Sequence, residues 1–356
     1  MGVERFVELA ERRPCSEVES VGAAMVPSSK RDEGSAVTLT HQQMDRAIGV
    51  MVASAAGDAL GAGYEFRDGL LAPDEPPAMI GGGLGDFAPG EWTDDTTMAW
   101  CILDVAARGL DLRSAEALDA VAQNFADWFE TRPKDIGVQT CGVLGQGGPT
   151  PTAEVLTAIS AQLHRTTGRT AGNGALMRTG AVVFPYLGDE EALVEAVAKV
   201  SRLTHGDPLN EEACILWCCA IRHAVLTGDV DVRTGLVRLP DADRRARWEV
   251  WILQAETSDP MCFHENGFVV TALQAAWSAV VHSDGIVAGL DAAIRIGHDT
   301  DTVACIAGQL LGAKWGASAV PADWRRLLHG YPGIDAAQLA ELVRLAVRDE
   351  RVSMEG

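Results

Sequence analysis

The sequence predicts an all-α fold in a single compact domain, and three observations support this. From Met44 onward, long windows rich in Ala, Leu, Val and Trp carry apolar residues at intervals of three and four, which is the spacing of a helix with one buried face. No run of alternating β-branched residues is long or frequent enough to indicate a sheet. No period of about 20 to 50 residues repeats, so nothing indicates a repeat architecture.

Thirteen helices are predicted, and glycine-rich or proline-rich stretches separate them. The second helix shows the pattern well, because it begins with a capping residue, Thr93 or Asp94. It then continues as an apolar stripe through Met98, Cys101 and Ile102. The predicted helices, in chain order, are 41–60, 94–108, 114–130, 151–162, 174–186, 189–203, 209–227, 243–256, 266–281, 285–296, 301–315, 321–328 and 335–348.

The chain is predicted to consist of a leader and one helical domain. Residues 1–40 mix charged residues with Pro14, Pro27 and a polar stretch at 28–35, and they show little sustained periodicity. We therefore expect residues 1–40 to form a flexible N-terminal leader. Residues 41–350 are expected to form the domain that carries the function.

The composition is that of a globular protein with a large core, because 47% of the 356 residues are hydrophobic and only 22% are charged. The formal net charge is −21, from 50 Asp plus Glu against 29 Lys plus Arg. Such a surface repels phosphate backbones and anionic lipid, so we expect neither a nucleic-acid nor a membrane partner. The same charge raises the local concentration of divalent cations.

Two features predict a cytoplasmic protein. The first six residues lack the basic start and the apolar core of a signal peptide. The longest apolar segment, Val269 to Val281, has only 13 residues and includes Thr271, Gln274 and Ser278, so it is too short and too polar to span a bilayer.

The eight cysteines include no C-x-x-C pair. Cys214, Cys218 and Cys219 lie in an apolar run and are predicted to be reduced core residues, since free cysteine is commonly buried. An alternative is a metal site from Cys214, Cys218 and His223 at helical spacing, which the apolar surroundings disfavour.

Two short acidic segments are the main candidates for chemistry. The first is Thr93-Asp94-Asp95-Thr96, and the second, roughly two hundred residues later, is Asp299-Thr300-Asp301-Thr302; each leads into an apolar helix. Helix capping explains one carboxylate in each segment, but it does not explain two that are flanked by hydroxyls. Hard cations prefer carboxylate and hydroxyl oxygens, and a pair of cations needs about four carboxylates. Together, the two segments predict a two-metal site.

Three further segments could surround this site. Glu65 follows the glycine-rich end of a helix and could position or activate water, while Asp58 is expected to brace the site or contact a substrate. The loop Gly172-Asn173-Gly174-Ala175 enters a helix, and its backbone N–H groups could bind a phosphate. In Thr204-His205-Gly206-Asp207, His205 either touches a substrate or caps a helix.

These segments together resemble the ADP-ribosylglycohydrolase family. Over about residues 44 to 316, five motifs occur in the family's order: Gly57-Asp58-Ala59-Leu60-Gly61; Trp92-Thr93-Asp94-Asp95-Thr96; Gly172-Asn173-Gly174-Ala175 with Met177-Arg178; Thr204-His205; and Asp299-Thr300-Asp301-Thr302-Val303 with Ile306-Ala307-Gly308. One departure is His298, which stands where a small residue is expected in the family. His298 is expected to be a solvent-facing turn residue or to alter the edge of the metal site.

The resemblance implies a compact all-helical enzyme in which two Mg²⁺ or Mn²⁺ ions support hydrolysis of the bond between ADP-ribose and an acceptor side chain. Asp301 would bridge the two ions, and Glu65, Asp94 and Asp301 would be the catalytic candidates. The implied metal ligands are Thr93, Asp94, Asp95, Asp299, Asp301 and Thr302. The implied substrate contacts are Asp58, Asn173, Gly174, Ala175 and His205.

The favoured hypothesis is removal of ADP-ribose from a modified protein, with arginine as the acceptor. One alternative is the same chemistry on a small ADP-ribose derivative or a modified nucleotide; another is a non-catalytic ADP-ribose-binding or structural protein on the same scaffold. All four aspartates and Glu65 are present, which favours an enzyme. Residues 63–92, rich in Gly and Pro, are expected to form a lid.

Overall fold

The structure is a computed structural model that describes residues 38–67, 71–72 and 74–347. Of the predicted leader at 1–40, residues 1–37 lie outside the described residues, and so do the last position of the predicted helix at 335–348 and the end of the predicted domain at 350. The division at residue 40 therefore stays a prediction.

The described part of the chain is helical almost throughout, as predicted. Five short 3₁₀ helices supplement the α-helices, at Asn173–Ala175, Gly180–Tyr186, Val232–Arg238, Pro260–Phe263 and Ala317–Ala319. The α-helices are α1 His41–Gly61, α2 Asp94–Ala107, α3 Ala115–Glu130, α4 Val138–Gly147, α5 Ala153–Thr167, α6 Leu176–Thr179, α7 Glu190–Arg202, α8 Pro208–Thr227, α9 Ala242–Thr257, α10 Val269–Val281, α11 Ile286–Arg295, α12 Thr300–Trp315, α13 Ala322–Leu327 and α14 Ala336–Ala346.

Several helix predictions were wrong in detail. Helix α4 was missed, and α5 continues to Thr167 beyond the predicted 151–162. The predicted helix at 174–186 is α-helical only at Leu176–Thr179, and Gly180–Tyr186 forms a 3₁₀ helix that contains Pro185, which lacks an amide hydrogen.

A small β-hairpin was also missed. Strands β1, His329–Gly330, and β2, Ile334–Asp335, pair antiparallel with His329 opposite Asp335. Two residues per strand are too few to produce an alternating sequence pattern. The hairpin fixes the segment before α2, since the amide of Trp92 donates to the carbonyl oxygen of His329 at 3.0 Å.

The core of the fold is an antiparallel pair formed by α1 and α12. Both helices are buried on nearly all sides, and glycines permit their backbones to touch. A Cβ added at Gly57 would overlap the carbonyl oxygen of Ala304, and one at Gly308 would overlap that of Ala53. At the end of the pair, Thr300 Oγ1 donates to the carbonyl oxygen of Gly61 at 2.8 Å. The loop after α1 is thereby held beside the start of α12.

The cysteines near α8 behave as predicted, since Cys214, Cys218 and Cys219 are free and buried. Burial raises the pKa of Cys214 to about 11, which keeps its thiol protonated. The ligand atoms of Cys214, Cys218 and His223 do not converge within metal-binding distance. Within the described ranges, no helix combines the length and apolar character needed to cross a bilayer.

Candidate metal centre

The start of α2 is held in place by a carboxylate from α1. Asp58 Oδ1 accepts from the amide of Thr93 at 2.9 Å, and Oδ2 accepts from the amide and the hydroxyl of Thr96 at 3.0 and 2.6 Å. Burial nevertheless raises the pKa of Asp58 to about 6, because the loss of solvent outweighs these hydrogen bonds. Asp58 thus satisfies the helix end and leaves Asp94 and Asp95 free for other partners.

The two acidic segments meet, as the sequence predicts. Thr302 Oγ1, in the first turn of α12, donates to Asp95 Oδ1 in the first turn of α2 at 3.1 Å. Asp301 Oδ1 accepts from the amide of Thr302 at 2.9 Å. Asp299 is the N-cap residue of α12, yet its side chain makes no capping hydrogen bond, so its oxygens are available elsewhere.

The Oδ2 atom of Asp95 is the most informative atom of the candidate metal centre. Its side chain is fully buried, and its Oδ2 has no hydrogen-bond partner within the described chain. Burial, together with the charges of Asp58 and Asp94, raises the pKa of Asp95 well above its ordinary range. A buried carboxylate oxygen without a partner is costly, and a cation would remove that cost. The donor set therefore fits a hard divalent cation.

Asp299 is oriented by two asparagines. Asn173 Nδ2 donates to Asp299 Oδ2 at 2.8 Å and to the carbonyl oxygen of Asn266 at 3.0 Å. Asn266 Oδ1 accepts from the amide of Asp299 at 3.1 Å. The prediction that a helix begins at 266 was wrong, because α10 starts at Val269 and Asn266 is a buried loop residue that braces the metal-binding segment.

A second group of carboxylates faces the first. Oxygens of Glu65, Asp135 and Asp301 lie within 4.8 Å of one another. Burial, and then repulsion from Asp299 and Asp135, raise the pKa of Glu65 to about 9. Burial and the charge of Asp135 likewise raise the pKa of Asp94 to about 7, although the amide of Gly137 donates to Asp94 Oδ2 at 3.2 Å.

Asp135 is the site residue that the sequence analysis missed. It lies in the loop between α3 and the missed helix α4, and its own pKa is raised by burial. The local signals are weak, since Pro133 and Gly137 mark only a turn around it. Neither a helix start nor a repeated motif points to Asp135, so only the tertiary structure identifies it.

The glycine loop lies against His205 and Arg178. Arg178 is fully buried and donates to the carbonyl oxygen of Gly174 at 3.1 Å and to Thr204 Oγ1 at 2.7 Å. His205 Nδ1 lies 2.8 Å from Thr204 Oγ1, and a Cβ added at Gly174 would lie 3.2 Å from His205 Nε2. Burial and the charge of Arg178 lower the pKa of His205 well below its ordinary value, so its ring is neutral.

The expectation of free amides in this loop needs one correction. The amide of Asn173 is already used, because it donates to the carbonyl oxygen of Gly267 at 3.1 Å. Ala175 is fully buried, backbone included, so its contact with a ligand stays a prediction. The structure thus brings the predicted metal ligands, Glu65 and Asn173 together, while the roles of individual residues stay predictions.

Comparison with known proteins places the chain among ADP-ribosylglycohydrolases. The profile of the ADP-ribosylglycohydrolase family matches residues 39–352. The chain is 29% identical over 292 residues to ADP-ribosyl-[dinitrogen reductase] glycohydrolase of Rhodospirillum rubrum, covering 79% of this chain and 89% of that protein. It is 32% identical over 310 residues to ADP-ribosylarginine hydrolase Tri1 of Pseudomonas putida, covering 81% and 76%. A solved structure of an ADP-ribosylglycohydrolase-related protein complex matches with a TM-score of 0.63 and 26% identity, covering 88% and 100%.

Proposed function

We propose that this chain removes ADP-ribose from arginine side chains of proteins with the help of two divalent cations, Mg²⁺ or Mn²⁺. The premise is that the chain belongs to the ADP-ribosylglycohydrolase family and is a hydrolase. We propose that this activity is cytoplasmic, and we expect neither a nucleic-acid nor a membrane partner because the chain is strongly acidic.

The observation that carries the proposal is the unpartnered Oδ2 of Asp95 among buried carboxylates. Without a cation, so many acidic groups in one place must take up protons to avoid mutual repulsion, and their raised pKa values express that cost. A purely structural cluster would instead pair each oxygen with a donor. The proposed ligands are Thr93, Asp94, Asp95, Asp299, Asp301 and Thr302, with Asp301 between the two ions.

Bound there, the cations would hold the ribose hydroxyls and lower the pKa of a water molecule. Glu65 would accept the proton of that water, because its carboxyl lies on the loop beside Asp301 and a bound cation would favour its ionised form. Asp135 shares this position and is the second candidate for the same task.

The loop at Asn173 would bind the diphosphate. Asn173 itself stays bound to Asp299, so the backbone of Gly174 and the neutral ring of His205 are the proposed contacts. Arg178 is proposed to position the loop without contacting the substrate, because it donates hydrogen bonds to Gly174 and Thr204 and is itself fully buried. Asp58 is proposed to brace α2, because its oxygens already accept three hydrogen bonds.

Arginine is proposed as the acceptor because one relative is named an ADP-ribosylarginine hydrolase. The test compares release of ADP-ribose from arginine-linked protein, serine-linked protein and a free ADP-ribosyl nucleotide derivative, each with Mn²⁺ and with chelator. Metal-dependent release from the arginine-linked protein alone is expected. Release only from another substrate would show that arginine is not the acceptor. Release that chelator does not affect would show that the reaction does not need a metal ion.

A further inference from the structure

Two residues at the edge of the metal centre have a backbone conformation that L side chains rarely adopt. His298 has a φ of 60° and Phe66 a φ of 48°, and the amide of Phe66 donates to the carbonyl oxygen of His298 at 2.8 Å. His298 directly precedes Asp299, and Phe66 directly follows Glu65. Such strained positions tend to occur at binding sites, where the strained backbone presents a side chain.

The rings of both residues face solvent and one another. The Phe66 and His298 ring centroids lie 6.5 Å apart in an edge arrangement, and the centroids of His298 and His264 lie 5.4 Å apart. Both His264 and His298 border a cavity of about 500 Å³ that we call the His298 cavity. It is lined by Tyr64, Arg67, Met261, His264, Arg295 and His298, among others.

The charge of the His298 cavity is opposite to that of the protein. None of the described acidic residues lines it, although the chain has 50 of them and a net charge of −21. A second cavity, of about 640 Å³, is lined by Asp74, Asp284 and Asp291 and so shows the ordinary character of this surface. A basic cavity on an acidic protein creates a local positive potential that attracts an anionic group.

Arg67 is the basic group in this cavity that is available to a ligand. Arg295 is neutralised by Asp291 at 2.9 Å and also donates to two carbonyl oxygens. The guanidinium of Arg67 is exposed and donates to the carbonyl oxygen of Gly83 at 3.2 Å, and no carboxylate of the described residues forms an ion pair with it. A carboxylate could therefore approach Arg67 without breaking an existing ion pair.

We propose that the His298 cavity binds an acidic side chain of the polypeptide that carries the ADP-ribosyl group, next to the modified residue. This inference rests on the proposed function, because it places the acceptor side of the substrate beside the metal centre. Phe66 and Met261, whose side chains are 58% and 54% exposed, flank the cavity and offer apolar contacts to that polypeptide. His298 presents its ring to the same segment.

The test uses two arginine-ADP-ribosylated peptides that differ only in a Glu or a Gln next to the modified residue. With the metal-loaded full chain, the kcat/KM for the Glu peptide is expected to exceed that for the Gln peptide by about two- to fivefold, the range of a partly exposed ion pair. Arg67→Gln should abolish this preference. Arg247→Gln, at an exposed position on α9, makes the same charge change and should retain it.

His298→Gly separates a binding role from a structural one, because glycine adopts this backbone conformation without strain. The variant should melt at a higher temperature and yet show a reduced preference for the Glu peptide. If neither peptide is hydrolysed, calorimetric binding of the same pair measures the preference without the proposed activity. Equal values for both peptides in the parent protein, or equal effects of the two arginine variants, would overturn the proposal. Inorganic phosphate that inhibits hydrolysis of both peptides equally by the parent protein, but not by Arg67→Gln, would assign the cavity to a phosphate and also overturn the proposal.

Discussion

The effect of Asp95→Asn on stability should change sign when metal is added. The variant should be more stable than the parent without metal and less stable than the parent with metal. In the metal-free protein, the substitution removes a buried charge that Asp58 and Asp94 repel, while the amide oxygen can still accept from Thr302 Oγ1. A buried polar group without a partner costs about 1–3 kcal/mol, so relief of that order is expected near pH 8. Roughly 300 folded residues, at about 2.1 cal/mol/K each, convert this to a rise of about 2–5 °C in Tm.

The effect depends on pH in a defined direction. The pKa of Asp95 is raised in the folded protein above its ordinary value of 3.8, so the folded state binds the proton more tightly than the unfolded state. Metal-free parent protein therefore loses stability as the pH rises above about 4, whereas the variant lacks this contribution. The advantage of Asp95→Asn should be small at pH 5 and larger at pH 8.

Metal should invert the order of stability. A cation present at about 100 times its Kd stabilises the parent protein by about 2.7 kcal/mol per site, and the variant should lose most of this gain. The assay is thermal and urea unfolding at pH 5 and pH 8, with Mn²⁺ or with chelator. Asp229→Asn, at an exposed position, is the matched control and should change stability by less than about 0.5 kcal/mol. A metal-free variant less stable than the parent at pH 8 would refute the reasoning, because Asp95 would then be a structural acceptor.

Three further predictions concern catalysis, metal affinity and packing. Glu65→Gln should lower kcat by about 10²-fold or more while calorimetry still detects metal binding, and an unchanged kcat would exclude Glu65 from proton transfer. Asn173→Ala removes a donor to Asp299 and should weaken metal binding by about 5- to 30-fold in a calorimetric titration; an unchanged Kd would contradict the bracing role. Gly308→Ala should destabilise the protein by about 1–3 kcal/mol or more in urea, whereas Gly142→Ala, where a Cβ meets open space, should be neutral or stabilising; equal effects would contradict the packing argument.

The sequence predicted what local patterns determine. Helix starts were predicted at 94 and 301 because a polar cap precedes an apolar stripe, and the structure begins α2 at Asp94 and α12 at Thr300. The two helix starts meet because α1 and α12 pack antiparallel. The glycines at 57 and 308 permit this packing, but it cannot be predicted from them alone.

What the sequence could not predict depends on tertiary contacts. Asp135 has no local signature, because its role follows from the position of its loop opposite Glu65. The 3₁₀ conformation of residues 180–186 was missed because residue spacing does not separate a short 3₁₀ helix from an α-helix. Asn266 was assigned to the predicted helix 266–281, yet its hydrogen bonds to the segment before α12 hold it in a loop.

The central claim is that two cations bind between α2 and α12 and are required for hydrolysis. The most direct test is a calorimetric titration of metal-free protein with Mn²⁺, combined with ADP-ribose release from an arginine-linked substrate in the same samples, for the parent and for Asp301→Asn. We predict two bound cations per parent chain, and weakened binding of both cations with loss of release in the variant, because Asp301 lies between the two proposed ions. A parent protein that binds no cation, or a variant that releases ADP-ribose at the parent rate, would contradict the account.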